Sequence, residues 1–177
     1  MKTIEISNCV FEYSETNNFL EEEYFGRHKH IIENRVDDHG DFVEFGIYKG
    51  HLSLMLKRND IVRNIYYLVD EVINKEDVDL FKYNAKRNAL SYTVINKLNE
   101  VKDSCVLFAF LDNMTIDSFV LFDLKFTNKI FVTLDFALLH ASYDPLFFLI
   151  EELKERDFQL NISACQFTTY VFDRIDN

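Results

Sequence analysis

The sequence predicts an α+β fold: one domain over residues 1–177, built on a mainly antiparallel sheet with about three helices. Three observations carry this expectation. The second half is dense in Phe-, Val-, Thr- and Ile-rich runs that alternate between two faces, as half-buried antiparallel strands do. Two of these runs, SFVLFDLKF and KIFVTLDFALLH, are joined around Thr127, Asn128 and Lys129. That is a hairpin-length connection, whereas a parallel pair needs a crossover of about a dozen residues. Helical periodicity is confined to three segments and does not alternate regularly with the strands.

The elements follow in order. TIEISNCVFEY alternates as an opening strand. Asn18 and Glu21 stand as a cap and its partner, and Leu20, Tyr24, His28 and Ile31/Ile32 share one face of a first helix that DDHGD ends. Residues 41–56, DFVEFGIYKGHLSLML, read as two short strands turning at Lys49-Gly50. Val43, Phe45 and Ile47 face one way, and Leu52, Leu54 and Leu56 return. A second helix covers 74–90, with Val78, Phe81, Ala85 and Ala89 on its stripe. Its acids come early and Lys86/Arg87 late, as the helix dipole favours. Strands are then expected at SCVLFAFLD, SFVLFDLKF, KIFVTLDFALLH and QLNISACQFTTYVF. The clearest helix precedes the last of them: Asp144 caps it, Pro145 takes its first position, and Leu146, Leu149, Ile150 and Leu153 form its buried face.

Composition bounds the function. An apolar fraction of 48%, with 18 Phe and 9 Tyr, suits a packed core and excludes a disordered chain. A formal charge of −11 repels phosphate, so direct nucleic-acid binding is disfavoured and a basic protein partner is favoured. Cys9, Cys105 and Cys165 form no C-x-x-C pair, the start lacks an apolar leader, and no run approaches the roughly 18 apolar residues of a membrane span. A reducing, cytoplasmic setting with free, buried thiols and no membrane contact is expected. His28, His30, His39 and His51 crowd near Asp37, Asp38 and Asp41, but a two-residue spacing sends His28 and His30 to different sides of a helix. They read as polar surface and turn residues, with no metal site.

The acidic clusters then carry the functional expectation. Glu21, Glu22, Glu23, Asp37, Asp38, Asp70, Glu71, Asp77 and Asp79 are candidate charge contacts, with Tyr24 and Tyr67 as aromatic anchors. Such a set suits a non-enzymatic, cofactor-free binding protein that neutralises a basic partner. The class expected is an immunity protein or antitoxin-type inhibitor of a toxin or other nucleic-acid-processing enzyme.

A second reading starts from VEFGIYKG. This stretch resembles motif I of the class I S-adenosylmethionine-dependent methyltransferases, in the E/D-x-G-x-x-x-G form of macrocin-type sugar O-methyltransferases. The resemblance implies a strand ending at Phe45, a cofactor turn, and a helix from near His51, with Glu44, Gly46 and Gly50 lining the cofactor site. Asp70 would then stand where the family's second-strand acid binds ribose hydroxyls, and Asp135 in IFVTLDF on the catalytic side. The resemblance covers residues 41–71, with a loose match at 130–136. Because no glycine follows Gly50 and 119–138 reads as a hairpin, the chain as a whole is assigned to the antiparallel class, with this reading as the alternative.

Overall fold

Ser7 and Asn8 turn the opening segment back on itself. Their φ angles of 50° and 65° are those of a two-residue type I′ turn, the kind that matches strand twist. TIEISNCVFEY is therefore a hairpin, β1 (Lys2–Ile6) and β2 (Cys9–Tyr13), where one strand was expected. The structure is a computed structural model, and it describes residues 2–13, 40–46, 50–71, 73, 75–135, 138, 144–166 and 169–175. The expected first helix lies outside these residues.

Seven strands make the main sheet: β3 (Asp41–Gly46), β4 (Asn64–Leu68), β5 (Thr93–Ile95), β6 (Cys105–Leu111), β7 (Thr127–Leu134), β8 (Phe158–Leu160) and β9 (Thr169–Arg174). Their order is β5-β4-β3-β6-β7-β9-β8. The first five are mutually parallel, and β9 alone runs antiparallel to its neighbours β7 and β8. The expected mainly antiparallel sheet is thus corrected to a mostly parallel one flanked by helices. These are α1 (His51–Arg58), α2 (Lys75–Arg87), the single-turn α3 (Ile116–Phe119) and α4 (Pro145–Lys154).

Both faces of the sheet are covered, which explains the error. Phe42, Ile65, Tyr67, Phe108, Phe110 and Phe131 pack under α1, α2 and the hairpin. Val43, Phe45, Leu107, Ala109, Ile130 and Val132 pack toward α4. A strand buried on both sides is apolar throughout and gives no clean face. SFVLFDLKF, expected as a strand, is the end of α3 and an irregular crossing, and Thr127 already belongs to β7. HLSLML, expected as a returning strand, is the body of α1: every residue from His51 to Leu56 is buried, so its Leu alternation reports no sheet.

The two helices read best from sequence are present. In α4, Asp144 Oδ1 accepts the backbone N–H groups of Leu146 and Phe147 at 3.0 and 3.1 Å, and Pro145 begins the helix. In α2, Phe81 and Ala85 are buried as expected, but Ala89 lies past its end with φ 53°. The buried residue missed there is Asn84. Among the described residues, no helix is long and apolar enough to cross a membrane.

Candidate cofactor site

From β3 the chain builds outward to β4 and β5, then returns to the other side for β6 and β7. The order therefore reverses between β3 and β6. In open parallel sheets the crevice beyond the carboxyl ends of strands at such a point is the usual ligand site. The residues at these ends are Gly46 as the last of β3, Val69 and Asp70 after β4, Asp112 after β6 and Asp135 after β7.

Glu44 governs the first of these ends. It is fully buried in β3, and its Oε2 accepts the Ser53 backbone N–H at 2.7 Å. The Ser53 hydroxyl donates to the Gly50 carbonyl at 2.9 Å, so strand, turn and helix are tied at one point. Glu44 Oε1 has no hydrogen-bond partner among the described residues. Burial pushes this carboxyl up to about 7, against the lowering effect of the Ser53 hydrogen bonds. Ser53 escaped the sequence reading, although a hydroxyl three residues past a helix-starting glycine is a recognisable first-turn signal.

The two glycines answer to packing. Gly46 has φ +108°, and a Cβ there would lie 2.3 Å from the Phe110 carbonyl oxygen of β6. Gly50 has φ +73°, and a Cβ there would lie 2.0 Å from the Phe81 ring of α2. Both positions need glycine so that the β3–α1 turn can sit against β6 and α2. Phe81 stacks at 4.7 Å on Tyr67, whose hydroxyl donates to the Gly46 carbonyl at 3.4 Å. Tyr67 is therefore a buried support of the turn. The expectation of an exposed partner-binding anchor is corrected, because its side chain has no surface to offer.

The other expected residues divide by position. Asp70 is half-buried and Glu71 exposed in the turn after β4, and Asp77 and Asp79 follow in the first turns of α2, so the fold gathers these four near one end of the sheet. Glu21, Glu22, Glu23, Tyr24, Asp37 and Asp38 lie outside the described residues, as do His28, His30 and His39. His51 is buried edge-on against Phe11, with ring centroids 4.8 Å apart. Asp41 is taken up by Arg63, Asn64 and Tyr66 at the opposite end of β3. Among the described residues, no group of three or more His, Cys, Asp or Glu side chains could hold a metal ion.

Asp112 and Asp135 end neighbouring strands: Leu111 pairs with Leu134, and Asp135 N–H donates to the Leu111 carbonyl at 2.9 Å. Asp112 was not singled out from sequence. Its Oδ1 accepts from Met114 N–H, Thr115 N–H and the Thr115 hydroxyl, which fixes the turn into α3. Of the thiols, Cys9 donates to the Leu54 carbonyl of α1 at 3.6 Å, and Cys165 is only half-buried where a buried thiol was expected. Cys9 and Cys105 are buried, and desolvation pushes Cys105 up to about 11.

Comparison with known proteins decides the fold. The chain matches a methyltransferase from Pyrococcus furiosus with a TM-score of 0.67 at 10% identity, over 95% of this chain and 90% of that one. It matches precorrin-6y C5,15-methyltransferase from Geobacter metallireducens GS-15 at 0.62 and 12%, covering 94% of each chain. It also matches M. jannaschii TYW2 in complex with AdoMet at 0.60 and 13%, over 98% and 86%. The fold is a Rossmann-like methyltransferase fold. No family model matches the chain, and no curated protein matches it in sequence. This fold overturns the expectation of an immunity protein or antitoxin-type inhibitor, and it places VEFGIYKG at the end of a parallel strand leading into a helix.

Proposed function

We propose that this chain binds S-adenosylmethionine at the carboxyl ends of β3 and β4 and acts as a small methyltransferase. The observation that carries the reading is the position of Glu44-x-Gly46-x-x-x-Gly50. The motif lies at the point where the strand order reverses and leads straight into α1. The donor set fits the cofactor. Asp70 stands just beyond β4, where a carboxylate can accept from a pair of ribose hydroxyls, and Glu44 holds the turn rather than the ligand. S-adenosylmethionine, when bound, supplies a methyl group on an electrophilic sulfonium. The chain's part is to orient that group toward the ends of β6 and β7, where Asp112 and Asp135 stand.

A net charge of −11 and the acids at this end of the sheet favour a neutral or basic acceptor, including a basic protein, over nucleic acid. Isothermal titration with S-adenosylhomocysteine tests the reading. Binding is expected in the micromolar range, and Asp70→Asn should weaken it about tenfold or more, the effect of losing hydrogen bonds to a charged acceptor. No binding to the wild-type chain would overturn it.

A further inference from the structure

The connection from β6 to β7 covers its part of one sheet face with little regular structure. A parallel crossover commonly spends a dozen or more residues, usually on a helix. Here only Ile116–Phe119 are helical, and 120–126 cross as an irregular strip. Two arginines hold that strip. Arg156 donates to the Val120 carbonyl and, at 3.2 Å, to that of Phe122. Arg174 donates to the Leu124 carbonyl and, at 2.7 Å, to that of Thr127. A groove of about 440 Å³ lies between strip and arginines.

We propose that this groove binds a small amphipathic carboxylate, with its head on Arg156, Arg174 and Lys125 and its apolar body on Leu121 and Phe122. Its size falls in the range of small-ligand pockets, roughly 300–1,000 Å³. Three cations and a single acid, Asp123, line it, a local positive basin on a chain of net charge −11. Carbonyl bonds fix the guanidinium planes of Arg156 and Arg174, and the Phe158 ring lies 4.6 Å from Arg174. Glu152, 3.6 Å from Arg156, offsets part of the charge, so the groove suits a monoanion. Leu121 is 83% exposed beside these donors, an apolar surface that a ligand body would cover. The groove lies by the start of β7 and the end of β9, and its Phe122 ring reaches toward the proposed cofactor site, meeting Phe45 of β3 edge-on at 4.7 Å.

Two-dimensional amide NMR with 4-phenylbutyrate as the probe tests this, with 4-phenylbutanol and inorganic phosphate as comparisons. Saturable shifts are expected at residues 120–125. The alcohol should bind about tenfold more weakly, and the exposed-site variant Lys125→Gln should weaken 4-phenylbutyrate about fivefold, as for loss of one ion pair. Equal affinity for the alcohol, equal affinity for phosphate, or no saturable shift at 120–125 in the wild-type chain would each overturn it.

Discussion

Glu44 is the residue on which the turn depends, and its ionisation makes a specific stability signature. Its folded-state value of about 7 lies above the ordinary 4.5, so between these limits the folded chain holds a proton that the unfolded chain has lost. Stability from this group is therefore full below about pH 4.5 and is lost as pH rises through about 7, on the order of 3 kcal/mol in all. Urea unfolding of wild type and Glu44→Gln at pH 5 and pH 8 checks this. The variant should lose that much of the wild-type difference, and identical pH slopes would contradict it. Gly50→Ala should cost about 2–4 kcal/mol, from a left-handed backbone and the crowded Phe81 ring. Phe81→Leu in the same chain should return part of the crowding cost, read by a double-mutant cycle. The roles of Glu44 and Gly50 in packing were not legible in sequence, because they depend on β6 and α2 being brought against the turn.

At the scale of elements, the hairpin is fastened to α2 by asparagine side chains acting as a surrogate strand. Asn88 Oδ1 accepts Val10 N–H and its Nδ2 donates to the Val10 carbonyl, both at 2.8 Å. Asn84 does the same at Glu12, at 2.8 and 3.2 Å. Residues four apart on a helix are spaced nearly as residues two apart on a strand, so two amides satisfy the outward groups of β2. Arg87 adds an ion pair to Glu12 at 2.6 Å. Asn88→Ala should destabilise the chain by about 1–3 kcal/mol, since it strands buried polar groups, and should speed hydrogen exchange at Val10. Unchanged exchange there would contradict the clamp. The stripe Val78, Phe81 and Ala85 was readable in sequence, but Asn84 and Asn88 look like ordinary polar residues until β2 lies beside them.

At the scale of the whole molecule, local signals survived and pairings did not. Asp144-Pro145 marks the start of α4 because the cap is made by neighbours in sequence. The β6–β7 pairing misled because its crossover has one helical turn, so 119–138 has the length and pattern of a hairpin. Among the described residues, the antiparallel pairings of the main sheet, β9 against β7 and β8, lie beyond it. VEFGIYKG read as a hairpin, with strand–turn–helix as the alternative, and only the surrounding parallel strands decide for the second. The most direct test of the cofactor reading is a thermal melt with and without S-adenosylmethionine at about 100 times its dissociation constant. Binding to the native state would add about 2.7 kcal/mol and raise the midpoint by roughly 5–10 °C. A midpoint unmoved by S-adenosylmethionine and by S-adenosylhomocysteine, both at millimolar concentration, would contradict cofactor binding and leave a methyltransferase fold without its ligand.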